Sequence, residues 1–146
     1  MEYIEELVNT LRGKDNTAAY QALLSLTDES EHSPAVYPFM DQFIEMLHDK
    51  NSYMRSRGLI LISANARWDA GHKIDGILDD YVAHSLDEKP ITARQCIRAL
   101  PAIAKHQPHL AGRIREALRK ADVSIYKETM RGLVERDIAS ALEEIG

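Results

Sequence analysis

The sequence predicts an all-α protein, a stack of about four antiparallel helix pairs with the character of an α-solenoid. Three observations lead to this. Apolar residues recur at helical spacing along the whole chain with no comparable period-2 stretch. Leucine anchors return at a nearly constant interval, and each is followed by a turn so short that the chain must reverse.

The elements follow in order. Ile4, Leu7, Val8 and Leu11 fall at i, i+3, i+4 and i+7, the stripe of an amphipathic helix over 2–12. Ala18, Ala19, Ala22, Leu23 and Leu26 mark a second helix over 16–28, and Phe39, Met40, Phe43, Ile44 and Leu47 a third over 35–48. The fourth, 52–67, carries the run Leu59-Ile60-Leu61-Ile62, apolar on more than one face, and is expected to be the most buried. Ile74, Ile77, Leu78, Tyr81 and Val82 place a fifth over 73–85; Ile91, Ile97, Leu100 and Ile103 a sixth over 90–106. Leu110, Ile114, Ala117 and Leu118 define 108–120, and Ile125, Thr129, Leu133, Ile138, Leu142 and Ile145 the last helix, 123–145. Asp15, Asn16, Asn51, Ser52 and Asp122 precede these stripes as side chains able to accept from the first free N–H groups. Pro34 or Pro38, Pro90 and Pro108 stand where a first turn tolerates a missing N–H, whereas Pro101 lies within the sixth stripe and is expected to kink it.

The odd-numbered helices end at Leu11, Leu47, Leu86 and Leu118, spaced by 36, 39 and 32 residues. Seven residues beyond each anchor stand Ala18, Met54, Ala93 and Ile125, and eleven beyond stand Ala22, Gly58, Ile97 and Thr129, mostly small or compact side chains that let neighbouring pairs approach. In the second unit Leu47, Asp49, Met54, Arg55 and Gly58, and in the third Leu86, Asp87, Ala93, Arg94 and Arg98-Ala99-Leu100 with a one-residue slip, resemble the HEAT and armadillo class of helical repeats. The outer units carry Ala19 and Tyr126 where that family has arginine, as capping repeats do. The resemblance implies a right-handed α-solenoid of about four HEAT-like pairs, with the second helices of the pairs lining a concave face.

Composition sets further bounds. With 146 residues, 45% hydrophobic and 28% charged, the chain suits a single repeat domain over 1–146 that needs no disulfide or metal staple. A lone cysteine, Cys96, suits a reducing compartment, and the acidic amphipathic start and the lack of a long apolar run lead to the expectation of a soluble cytoplasmic protein without membrane contact. The net charge of −5 disfavours wholesale binding to nucleic acid. Charge is unevenly spread: ten acids oppose three bases over 1–50, a net of −7, while nine bases oppose three acids over 94–131, a net of +6.

Catalytic constellations are weak. Cys96 lies in a helical stripe beside Ile97 with no activating turn, so a buried structural thiol is expected. No His-x-x-x-His or Cys-x-x-Cys is present; His106 and His109 flank Gln107-Pro108 as loop histidines, and no metal or cofactor is expected. Asp79-Asp80 and Glu143-Glu144 point to different sides of their helices, and no glycine-rich phosphate loop occurs. Arg67-Trp68-Asp69 invites comparison with HEAT-like glycosylases of alkylated DNA, which use an aspartate and aromatic residues, but an aromatic plug at a helix end is the simpler use of Trp68. The expectation is therefore a non-catalytic scaffold whose partly basic concave face, with Arg55, Arg94, Arg98, Lys127 and Arg131, meets an acidic protein or peptide. The alternative is a HEAT-like nucleic-acid binder, related to those glycosylases, using the same patch on phosphates.

Overall fold

The computed structural model describes residues 2–146, and among them every regular element is helical. The helices are α1 (Glu2–Leu11), α2 (Asn16–His32), α3 (Met40–Met46), α4 (Ser52–Ala64), α5 (Lys73–Ala83), α6 (Pro90–His106), α7 (Ala111–Lys120) and α8 (Glu128–Ile145). Short 3-10 turns at Tyr37–Phe39, Ala66–Trp68, His84–Leu86, Pro108–Leu110 and Val123–Ile125 lead into or out of them. The chain divides into two compact units, the first ending at Gly71 and the second spanning His72–Gly146.

Local chemistry sets several boundaries as expected, but the helices expected over 35–48, 108–120 and 123–145 begin only at Met40, Ala111 and Glu128, each behind a 3-10 turn. The Asp15 carboxylate accepts from the Ala18 N–H and caps α2, and the Asn51 side chain accepts from the Tyr53 N–H and caps α4. Asp122 does the same for the turn before α8. Pro90 opens α6, and Pro101 is buried inside a helix that continues to His106. The second helix runs beyond residue 28, through a polar stretch without apolar periodicity. There Thr27, Ser30 and His32 bond back to the carbonyls of Leu23, Leu26 and Asp28, and Ser30 is buried under Asn65 and Trp68. Tertiary bonds hold what the apolar pattern does not mark.

In the first unit α1 packs on α2, α3 on α4, and α2 on α4. Ile4, Val8, Leu11, Leu26, Met40, Phe43, Leu59 and Ile62 fill the interior. As expected, α4 is the most buried helix in proportion, with seven of its thirteen residues inside. Gly58 sits where α4 meets α3: a Cβ there would lie 2.8 Å from the Phe43 carbonyl oxygen and 3.0 Å from the Met46 Cβ. The close approach is thus made within a helix pair. Two buried arginines close the helix ends. Arg57 donates to the Leu11 carbonyl at 3.1 Å and to the Asn16 side chain at 3.0 Å, tying α4 to the turn between α1 and α2. Burial lowers its pKa.

In the second unit α6 is central, packing on α8, on α7 and on the turn that ends α5, while α5 packs on α7. Its interior holds Ile74, Leu78, Tyr81, Cys96, Ile97, Leu100, Ile103, Ile114 and Leu118. Two apolar residues of the expected stripes are exposed, Ile91 at 69% and Ile125 at 59%, and in α8 the buried residues are Val134 and Ala141 where the expected stripe named Thr129, Leu133, Ile138, Leu142 and Ile145. The buried residue after α7 is instead Tyr126, whose hydroxyl donates to the Asp87 carbonyl at 2.6 Å. The anchor leucines 11, 47 and 118 are buried, but Leu86 is half-buried and its neighbour Ser85 is inside.

Candidate functional site

The basic residues singled out by sequence separate into three environments. Arg94 and Arg98 stand one turn apart on α6, facing Asp137 of α8, since residues four apart share a helix face. Arg94 Nε donates to Asp137 Oδ2 at 2.6 Å, and Arg98 Nε lies 3.7 Å from Asp137 Oδ1. The Asp137 side chain is only 11% exposed, so it is held by the arginines in a partly desolvated position. That hydrogen bond raises the Arg94 pKa above its ordinary value. Arg98 keeps 56% of its side chain exposed and lines a cleft with Pro101, Asp137, Ser140, Ala141 and Glu144.

Lys127 and Arg131 lie at the start of α8. Lys127 is exposed and occupies the N-cap position, its carbonyl accepting from the Met130 and Arg131 N–H groups. Arg131 is half-buried: Nη2 donates to the Tyr126 carbonyl at 3.2 Å, and its buried Nε has no partner among the described residues. Arg55 is placed otherwise than expected. It is buried in the first unit, with Nη1 donating to the Asp49 and Lys50 carbonyls at 3.0 Å, so its charge closes the turn ahead of α4 and is withdrawn from any partner surface. The guanidinium thereby satisfies carbonyls of the turn that belong to no helix.

The groups considered for chemistry are mostly occupied. Cys96 is fully buried, its thiol donating to the Tyr81 carbonyl at 3.3 Å, and burial pushes its pKa up to about 12. Asp69 is buried and accepts the Tyr37 hydroxyl at 2.5 Å; burial, then the Asp69 hydrogen bond, pushes Tyr37 up to about 12. Trp68 Nε1 donates to the Ser30 carbonyl at 2.7 Å, so the Trp68-Asp69 pair fastens the end of α4 onto α2 and α3's leading turn. Asp79, Asp80, Glu143 and Glu144 face solvent, with Asp79 paired to Arg113 at 3.0 Å.

Three arrangements were missed from sequence. Arg57 was hidden in an apolar stripe, and its only signal was a charge beside Gly58 in a helix otherwise expected to be buried. Tyr126 was expected only as a departure from the repeat pattern, and its hydroxyl ties the turn after α7 to the turn after α5. His109 is exposed, as expected, but it has a partner: Nε2 lies 2.7 Å from Asp75 Oδ2, with His72 close by. The spacing His72-x-x-Asp75 at a helix start was its available signal.

Comparison of the chain with protein-family models, with curated proteins and with solved structures returns no match. No helix among the described residues is long and apolar enough to cross a membrane.

Proposed function

We propose that the protein is a non-catalytic HEAT-like repeat scaffold, a right-handed α-solenoid of about four antiparallel helix pairs, that binds an acidic segment of a partner protein through its basic second-helix face. Supporting the repeat reading, each unit holds two successive helix pairs whose second helices pack on one another, α2 on α4 and α6 on α8. In each, a side chain of the later pair bonds a backbone carbonyl at the turn of the earlier one: Arg57 to Leu11 and Tyr126 to Asp87.

The observation that carries the binding reading is Arg98. Its side chain is more than half exposed and its Nε lies 3.7 Å from a carboxylate already taken by Arg94, which leaves most of its donors to an incoming carboxylate. Lys127, exposed at the head of α8, adds a second cation, while Arg94 positions Asp137. A net charge of −5 opposes a long polyanion but leaves a local patch able to match a short acidic epitope.

The test is fluorescence anisotropy with a labelled Glu/Asp-rich peptide and, separately, short duplex and single-stranded DNA at low and physiological salt. The peptide is expected to bind, and Arg98→Glu combined with Lys127→Glu to weaken it roughly tenfold or more. DNA binding that survives physiological salt and is lost in the same variant would replace the protein-binding reading with the nucleic-acid one.

A further inference from the structure

The geometry points to a binding site for a divalent transition-metal ion, zinc being the natural probe, formed by His72, Asp75 and His109 in the second unit. It is independent of the basic face and of the proposal built on it. His72 precedes the first residue of α5 and Asp75 follows three positions later, so both sit on one side of that helix start. His109 comes from the 3-10 turn Pro108–Leu110, which delivers the chain into α7.

The donor atoms converge. One ligand atom from each residue lies within 4.8 Å of the others. His72 Nδ1 is 3.6 Å from Asp75 Oδ1, close to the roughly 3.4 Å between two ligand atoms that share a tetrahedral ion with bonds of about 2.0–2.1 Å. His109 Nε2 and Asp75 Oδ2, at 2.7 Å, are joined by a hydrogen bond whose proton an ion would replace. The two imidazoles meet edge to face with centroids 5.5 Å apart, so neither ring blocks the other's donor. Further along the same two segments, Arg113 Nη2 meets Asp79 Oδ1 at 3.0 Å in a surface ion pair between α7 and α5.

Two features are left unexplained by an ordinary His–Asp pair. Asp75 Oδ1 is buried and has no hydrogen-bond partner among the described residues, although a desolvated carboxylate oxygen needs a donor or a cation. His72 adopts a left-handed backbone, φ 55° and ψ 37°, the only non-glycine residue with positive φ among those described. Such a conformation is unfavourable for a side chain with a Cβ and persists where surrounding interactions impose it; here it brings the imidazole to the carboxylate. Two imidazole nitrogens and one carboxylate favour zinc, copper, nickel or cobalt over magnesium or calcium, whose sites are built from oxygen. Because His72 is 60% and His109 46% exposed, the remaining coordination position opens to solvent and would hold water.

The full-length protein, free of any affinity tag and stripped with a chelator, is titrated with Zn2+ by calorimetry and with Co2+ by visible absorption. One equivalent is expected to bind with micromolar affinity, Co2+ to give the intense d–d bands of low coordination, and saturating Zn2+ to raise the thermal midpoint by on the order of 5 °C. His109→Ala and His72→Gly should weaken binding roughly tenfold or more. Glycine accepts the left-handed backbone at position 72, so His72→Gly should be at least as stable as the parent without metal while losing the metal-induced rise. His32→Ala, in the separate Asp28, Glu31 and His32 cluster on α2, should change nothing. Absence of binding at submillimolar metal, unchanged affinity in both His109→Ala and His72→Gly, or loss of binding in His32→Ala instead would overturn the assignment.

Discussion

At the scale of single residues, the sequence shows most clearly what is small or apolar and least clearly what a polar side chain reaches. Gly58 was legible only as a compact position: its spacing led to a close approach between neighbouring pairs, whereas the approach is to α3, within its own pair. The Gly58→Ala change puts a Cβ 2.8 Å from the Phe43 carbonyl oxygen, a backbone atom that cannot swing aside, so the helix pair must separate. A loss of about 1–3 kcal/mol is expected in denaturant melts, and a larger one for Gly58→Leu. Arg55, by contrast, is indistinguishable in sequence from an exposed helical arginine; only the positions of the Asp49 and Lys50 carbonyls determine that it is buried.

Two phenols, the buried Tyr126 and the half-buried Tyr37, give the molecule an alkaline limit. Tyr126 is pushed up to about 12, first by burial and then by the nearby Asp87 charge, and Tyr37 likewise by burial and Asp69. Each group's folded pKa lies above its unfolded value of 10.0, so the stabilisation it carries is fully present below that pH and is lost as pH rises toward 12. Denaturant midpoints measured from pH 8 to 12 should fall through that window, and Tyr126→Phe should flatten the fall while lowering the neutral-pH unfolding free energy by about 0.5–1.5 kcal/mol for the lost hydroxyl bond. Cys96, buried with its thiol also pushed up to about 12, should resist a thiol reagent in the folded protein and react at once in denaturant.

At the scale of helices, caps and apolar stripes were legible because they depend on neighbours within a few residues: Asp15 and Asn51 cap as their identities suggest, and Pro90 opens α6. Replacing Asp15 with alanine removes the acceptor for the Ala18 N–H and should cost about 1 kcal/mol. The extension of α2 to His32, the inward Tyr126 and the outward Ile91 and Ile125 were not legible, because each is decided by a residue more than thirty positions away or by which side of a helix its neighbour covers. Arg57 shows the same rule with greater energetic weight. Arg57→Met keeps much of its apolar stem but leaves the Leu11 carbonyl and the Asn16 side chain without their donor, and should destabilise by about 1–3 kcal/mol. A midpoint equal to the parent's would show that water replaces the guanidinium without loss.

At the scale of the whole molecule, sequence announced the all-helical class through the absence of any period-2 run, and announced uneven charge through composition alone. The excess of bases over 94–131 is real, yet its expression depends on pairing that composition does not reveal. Asp137, outside that stretch, takes Arg94, Glu116 takes Lys120, and Asp79 takes Arg113. Of the five basic residues expected to bind, Arg98 and Lys127 are the exposed ones. The most direct test of the scaffold reading is therefore the salt-controlled anisotropy titration of the acidic peptide against duplex DNA, run on the parent and on the Arg98→Glu, Lys127→Glu variant. Peptide binding that exceeds DNA binding at physiological salt and falls roughly tenfold in the variant is the predicted result. Tighter binding to DNA, or peptide binding indifferent to both charge reversals, would contradict it.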